Sequence, residues 1–160
     1  MLFPTSSILC GIHCFHLCAM KKYQDIVVFL LRVSLAAGFL SAVASRLGLW
    51  GKQSSGWKGF IAYTGQVVSF VPGSAIPLVA VASTVAETGL GVALLIGLKT
   101  SYASAGAGLL TLLFALSMAW SFGIKEPLDY SVFVFCAAAF LLSGMPYYRW
   151  SLDELINHTK

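Results

Sequence analysis

The chain has 160 residues, of which 58% are hydrophobic and 10% are charged, and its mean hydropathy is +0.84. Soluble domains carry about a quarter charged residues, so this composition predicts an integral membrane protein. The net charge of +4 is small, and the ten Lys and Arg residues are scattered between apolar runs. This distribution argues against a nucleic-acid partner and favours contact with the headgroups of a lipid bilayer.

The first nineteen residues carry Cys10, Cys14 and Cys18 at intervals of four, with two histidines between them. On a helix the thiols would share one face and could bind a soft metal, although metal sites more often use C-x2-C pairs. The Met-Lys-Lys run at 20–22, directly before an apolar stretch, is typical of a natural start with a basic flank. Residues 1–19 are therefore interpreted as a dispensable extension, disordered or weakly helical, and no metal site is assigned.

The first membrane span is predicted over residues 26–45. A stripe of small residues at helical spacing is expected to face another helix, because small side chains let membrane helices approach closely; its members are Ser34, Gly38, Ser41 and Ser45. Arg32 lies on roughly the opposite side of the helix, about 9 Å inside its start. Its guanidinium either snorkels to the nearer interface or has a buried partner.

Between the first two spans, residues 46–75 are predicted to leave the membrane. A flexible polar link at 51–56 precedes apolar residues that recur at helical spacing over 57–71. This pattern predicts an amphipathic helix on the membrane surface. It is either a lid over a lateral opening in the bundle or an interfacial anchor.

The second span, predicted over residues 76–98, is about 34 Å long and has Glu87 near its middle. A carboxylate at that depth is costly unless it is protonated, paired or hydrated. Ser83 and Thr84 lie on the same side of the helix and are expected to be its hydrogen-bond partners. We expect Glu87 to face the bundle interior, either protonated or compensated by Arg32. Gly89, Ala93 and Gly97 form a second ladder of small residues.

Two further spans are predicted over 102–122 and 128–145, with an interfacial belt at 146–150 and a wet, polar tail at 151–160. The fold class is all-α, an antiparallel four-helix transmembrane bundle over residues 20–150 with a surface helix between its first two spans. Four spans place both termini on one side of a cell membrane. Basic residues favour that side by five to four, which predicts cytoplasmic termini.

The order of these features resembles the DoxX family of small four-helix membrane proteins of the bacterial inner membrane. The resemblance covers about residues 22–145 and is carried by Arg32 to Gly38, Gly56-Trp57, the Pro72 to Pro77 turn, Ala86-Glu87 followed by Leu94-Leu95-Ile96-Gly97-Leu98, and Lys125-Glu126-Pro127-Leu128-Asp129-Tyr130-Ser131. It implies membership of a group named after a subunit linked to thiosulfate:quinone oxidoreduction. Most members of that group have no established activity.

The histidine and cysteine positions argue against a self-contained enzyme. None of the four predicted spans contains a histidine that could ligate haem, and Cys136 is the lone cysteine within a span. No catalytic residue and no metal ligand is assigned, and any cofactor, such as a quinone, would be bound from the membrane or carried by a partner. The chain is then either a quinone- or lipid-binding subunit that assists a partner oxidoreductase, or a non-catalytic membrane scaffold or assembly factor. A small transporter is a third interpretation, disfavoured because no paired broken helices are recognisable.

Overall fold

The computed structural model describes the backbone of residues 5–158 and the side chains of residues 22–156. Within this part of the chain the structure is all-helical and has no strands, which confirms the predicted fold class at that level. The helices are α1 (Thr5–Arg46), α2 (Gly56–Val67), α3 (Ile76–Ile96), α4 (Thr100–Phe122), α5 (Lys125–Asp129), α6 (Val132–Ser143) and α7 (Leu152–His158). Single turns of 3-10 helix lie at Gly51–Gln53 and Gly73–Ala75.

Three helical segments are long and apolar enough to cross a membrane: Lys22–Arg46, Gly73–Ile96 and Thr100–Phe122. They coincide closely with the spans predicted at 26–45, 76–98 and 102–122. A helix of about twenty apolar residues matches the hydrocarbon thickness of a bilayer, so the chain is a membrane protein.

The continuous helix predicted over 128–145 is wrong. The chain forms the short helix α5, turns at Tyr130 and Ser131, and then forms α6, which has 12 residues and a length of about 18 Å. Ser131 has a φ of 55°, in the left-handed region, and this conformation interrupts the helix. Pro127 lies buried inside α5 and does not begin the longer helix.

Four helices enclose the core, with contacts between α1 and α3, α3 and α4, α4 and α6, and α1 and α6. The most deeply buried apolar side chains come from all four helices and include Leu35, Ala36, Leu94, Ala107, Ala139 and Leu142. Close packing uses glycine where helices approach. A Cβ placed on Gly108 of α4 would lie 3.0 Å from the Phe140 ring of α6, and one on Gly91 of α3 would lie 3.1 Å from Leu40 of α1.

The face of α1 that packs into the bundle is not the predicted small-residue stripe. Ser34 and Ser41 are exposed, whereas the buried residues recur every three or four positions on the opposite face; they are Asp25, Val28, Arg32, Leu35, Ala36, Phe39, Val43 and Arg46. Of the stripe, Gly38 accommodates a neighbour, since a Cβ there would lie 2.8 Å from the Phe135 ring. The packed face of α1 is therefore the one opposite the predicted stripe.

The first residues of the predicted wet tail at 151–160 are packed against the bundle. Ser151 is buried, and the chain from Tyr148 to Glu154 packs against the ends of α1, α3 and α4 through hydrogen bonds described below. At the other terminus, the backbone of α1 begins at Thr5. The side chains of Cys10, Cys14 and Cys18 lie outside the described residues, and the dispensability of residues 1–19 stays a prediction.

Candidate functional site

Glu87 is paired with Arg46, the last residue of α1. The Arg46 Nη2 atom lies 2.9 Å from Glu87 Oε1 and 2.8 Å from Oε2, so one nitrogen contacts both carboxylate oxygens. The two side chains are 10% and 13% exposed. A charged pair that is largely removed from solvent and hydrogen-bonded has its desolvation cost offset by the mutual attraction. Glu87 therefore lies against the neighbouring helix α1.

Thr84 completes the polar cluster, whereas Ser83 does not join it. Thr84 lies three residues before Glu87 on α3. Its hydroxyl accepts a hydrogen bond from Arg46 Nη1 at 3.0 Å and donates one to the Ala80 carbonyl at 2.8 Å. The Ser83 hydroxyl donates to the same carbonyl at 3.1 Å. The prediction that Ser83 and Thr84 bond Glu87 directly is therefore wrong, because both hydroxyls turn back to the α3 backbone.

The α2 helix covers this cluster. The Phe60 ring lies over the Arg46 guanidinium, with 3.8 Å between the guanidinium carbon and the ring centroid, a cation–π contact. Phe60, Thr64 and Val67 are the buried face of α2, in agreement with the predicted amphipathic pattern. Trp57, which was predicted on the same face, is partly exposed instead.

The prediction that Arg32 compensates Glu87 is wrong. Arg32 lies at the far end of α3, where a Cβ placed on Gly97 would be 2.7 Å from its Nη1 atom. Gly97 is about 15 Å along α3 from Glu87. The predicted pairing assumed that α1 and α3 begin at opposite faces of the membrane. In the structure α1 is shifted along α3, so Arg46, and not Arg32, reaches the Glu87 carboxylate.

Arg32 holds the C-terminal segment in place. It is 2% exposed, its Nη2 donates to the Trp150 carbonyl at 2.6 Å, and its Nε has no hydrogen-bond partner. Its ring neighbour is Phe29, at 5.4 Å from the guanidinium carbon. Among the described residues no carboxylate oxygen lies within 4 Å of Arg32, so its guanidinium bonds a neutral backbone carbonyl and has no close ion-pair partner.

Asp153 caps the start of α4. Its carboxylate accepts hydrogen bonds from the amides of Lys99 and Thr100, both at 2.7 Å, and from the Thr100 hydroxyl at 2.8 Å. The Asp153 amide in turn donates to the Gly97 carbonyl at 3.0 Å. The carboxylate therefore satisfies donors that the first turn of a helix leaves free, and it does so from a residue more than fifty positions away.

Two further contacts fasten the same segment. The Tyr148 hydroxyl donates to the carbonyls of Leu142 and Ser143, at 2.9 and 3.2 Å, and burial raises the pKa of this phenol above its ordinary value. Arg149 pairs with the buried Asp25 of α1 at 3.2 Å. The segment thus bridges α1, α3, α4 and α6.

Replacing Asp153 by Ala is expected to lower the stability of the protein by about 1–2 kcal/mol, the usual cost of losing a helix cap. The measurement is the thermal midpoint in detergent. The matched control is Asp129→Ala, which removes a carboxylate that is 55% exposed and paired with Lys125 on the surface of α5. Equal midpoints for the two variants would contradict a capping role for Asp153.

Sequence reasoning missed Arg46, which was assigned to the start of an extramembrane link. A signal was nevertheless present, because Asp25, Arg32, Phe39 and Arg46 are seven residues apart and therefore share one face of a long helix. The larger side chains on this face mark it as the packed one. The Arg46–Glu87–Thr84 cluster, with Phe60 above it, is the candidate functional site.

The chemistry available at this cluster is charge pairing and hydrogen bonding. Among the described side chains, no three His, Cys, Asp or Glu residues are grouped closely enough to hold a metal ion. Cys136 is buried, and its thiol donates to the Gly108 carbonyl at 3.3 Å, a packing contact between α6 and α4. The arrangement at Glu87 can hold helices together or present a guanidinium and a carboxylate to a ligand.

Comparisons with known proteins found no match from which a function could be assigned. No protein-family model matches the sequence, and neither a curated protein nor a solved structure matches it significantly. The resemblance to the DoxX family therefore stays a prediction.

Proposed function

We propose that the chain crosses the cell membrane four times, with α5 and α6 together making the fourth crossing. The segment from Lys125 to Ser143 would be about 28 Å long if it were fully helical, close to the hydrocarbon thickness. The contacts of α6 with both α1 and α4 support its place in the bundle. With four crossings both termini lie on one side, and the basic residues favour the cytoplasmic side.

Within that bundle, the chain acts as a non-catalytic scaffold or assembly factor of the DoxX type for a partner membrane protein. The observation that carries this proposal is the contact of one Arg46 nitrogen with both oxygens of Glu87. A carboxylate whose charge is balanced by its own chain is suited to fastening α1 to α3. The polar cluster then explains why a membrane helix carries a glutamate near its middle without assigning it a reaction.

A second candidate function, a quinone- or lipid-binding subunit that assists a partner oxidoreductase, is favoured by a different observation. The Arg46–Glu87 pair is 10% and 13% exposed, and the Phe60 ring from the short helix α2 is its cover. Displacement of α2 would let a polar head group reach the guanidinium while an apolar tail stays in the bilayer. This is the lid interpretation of α2.

Thermal stability in detergent distinguishes the two functions. If the chain is a scaffold, a short-chain quinone analogue is expected to leave the thermal midpoint of the parent protein unchanged, because the protein then has no binding site for the quinone head group. A rise of the midpoint that saturates with quinone concentration and disappears in Glu87→Gln would instead establish the binding subunit. A rise of equal size in both proteins would indicate partition of quinone into the detergent micelle and would leave the scaffold proposal standing.

A further inference from the structure

The carboxyl end of α2 lies level with the end of the bundle. The Ser121 hydroxyl, near the end of α4, donates to the Val67 carbonyl at 2.7 Å, and a Cβ on Gly65 would lie 3.0 Å from the side chain of Ile76, the first residue of α3. The Tyr63 ring stacks on Phe122, the last residue of α4, with centroids 6.4 Å apart. This end of α2 is therefore at the level where α3 begins and α4 ends.

The amino end of α2 lies much deeper along the same helices. The Phe60 ring covers the Arg46 guanidinium, which is bonded to Thr84 and Glu87. Thr84 is about 12 Å along α3 from Ile76. Because side chains lean toward the start of their helix, the Phe60 ring marks the level at which α2 begins. The α2 helix is thus inclined, with its amino end toward the Arg46–Glu87 pair and its carboxyl end at the level where α3 begins.

The link that joins α1 to α2 starts at the same depth. Since α1 ends at Arg46, residues 47–55 follow the residue whose side chain bonds Thr84, about 12 Å along α3 from its start at Ile76. The exposed side chains of this link include Leu47, Leu49 and Trp50, which are 62%, 73% and 55% exposed. Exposed apolar residues also lie on the adjoining half of α3 and α4, where Leu78 is 71% exposed and Trp120 is 78% exposed. The outer surface at this level is therefore suited to lipid.

Most backbone amides of the link donate hydrogen bonds within the segment 43–55. Amide groups along the link donate to carbonyl or hydroxyl oxygens of this segment at 2.9–3.3 Å; the donors are Leu47, Gly48, Leu49, Trp50, Gly51, Gln53, Ser54 and Ser55. In addition, the Trp50 indole donates to the Ser41 carbonyl at 3.2 Å. In hydrocarbon each unsatisfied backbone group is costly, so this pairing of the amides lowers the cost of placing the link below the headgroups.

We propose that residues 47–60 lie within the bilayer and continue the first crossing, which α1 begins and α2 completes, so that the surface formed by Leu47, Leu49 and Trp50 binds lipid acyl chains below the headgroups. Lys52 and Lys58 extend their ammonium groups outward to lipid phosphates, as long basic side chains do near an interface. The Arg46–Glu87 pair then lies near the middle of the membrane thickness, beneath this segment. The proposal rests on the membrane placement of α3 and α4 given under the proposed function.

The test measures the depth of single spin labels in the full chain, reconstituted in vesicles of phosphatidylcholine and phosphatidylglycerol after replacement of the native cysteines. The label is placed at Leu49→Cys, with Leu47→Cys as a second position. Depth is read from the ratio of collision rates with oxygen and with a water-soluble nickel complex. The reference positions are Leu113→Cys, an exposed site within α4, and Ile124→Cys, an exposed site just past its end.

Immersion predicts that the labels at 49 and 47 lie well below the label at 124, by about 10 Å, and approach the depth of the label at 113. Labels at 49 and 47 that lie at or above the level of 124 would overturn the proposal while leaving α4 in the membrane. A water-exposed label at 113 would instead overturn the membrane placement of α4, and with it the proposed function. Since all four positions are exposed, labelling is expected to leave the fold intact, and an unchanged thermal midpoint verifies this for each variant.

Discussion

Replacing Gly97 by Ala is expected to destabilise the protein by on the order of 2 to 5 kcal/mol, combining left-handed strain and overpacking. Gly97 ends α3 with a φ of 72°, a conformation that costs an L-residue roughly 1–2 kcal/mol. An added Cβ would also lie 2.5 Å from Ser151 Cβ and 2.8 Å from Ser151 Cα. Because one of these atoms belongs to the backbone, the C-terminal segment must move to make room.

That movement would weaken contacts beyond the site of the substitution. Displacement of Ser151 carries with it the Trp150 carbonyl, which accepts from Arg32, and Asp153, which caps α4. The buried Arg32 guanidinium would then lose its hydrogen bond, and a buried charge without a partner is costly. The expected result is a large fall in the thermal midpoint in detergent.

The same helix offers a matched control in Gly89→Ala. A Cβ on Gly89 meets no heavy atom within 4 Å, so this variant tests the effect of Gly→Ala in α3 without a clash. Its midpoint is expected to equal that of the parent or to rise slightly, because alanine favours the helix. A similar loss in both variants would show that α3 does not tolerate alanine in general and would contradict the specific role of Gly97.

The three long helices were predictable because their cause is local. An uninterrupted apolar run of about twenty residues has few alternatives in a membrane, and its length alone indicates a span. The proline near the start of α3 and the glycine at its end fix the bounds of that helix in the same local way. The predicted bounds of these helices agree with the structure because they depend on residues that are close together in the sequence.

The break between α5 and α6 was not predictable from its own residues. Ser131 adopts a left-handed conformation that serine rarely takes, and nothing in the apolar run that follows indicates it. The same limit applies to Asp153. Its cap depends on the packing of a C-terminal segment against the start of α4, a contact over about fifty residues of chain that composition does not encode.

The partner of Glu87 was missed for a related reason. The apolar runs of α1 and α3 were predicted correctly as helices, but the shift of α1 along α3 depends on contacts between the two helices, such as those of Phe39 and Leu40 with Gly91. This interlocking of side chains brings Arg46 to Glu87 and carries Arg32 to the far end of α3. Depth counted from the start of each helix cannot detect such a shift, because it assumes that both helices begin at opposite membrane faces.

Replacing Arg46 by Met is the second large perturbation, expected to cost about 3–5 kcal/mol because it leaves the Glu87 carboxylate buried without its cation. The double variant Arg46→Met/Glu87→Leu is expected to recover most of this loss, since two apolar side chains of similar volume remove the need to desolvate a charge. Thr84 keeps its hydrogen bond to the Ala80 carbonyl in both variants, so no buried hydroxyl is left unpaired. The measurement is the thermal midpoint of the parent, the two single variants and the double variant.

This double-mutant cycle has a matched control in Arg32. Arg32→Met combined with Glu87→Leu is expected to give additive losses, because the two residues are far apart and share no partner. Additivity of Arg46→Met and Glu87→Leu, or a coupling between Arg32 and Glu87, would contradict the pairing of Arg46 with Glu87. A stable double variant also allows the proposed function to be tested, because a scaffold needs α1 and α3 to be held together but does not need the charges of Arg46 and Glu87. A double variant that is stable but no longer supports its partner would show that the charges themselves are recognised, which would favour the ligand-binding subunit.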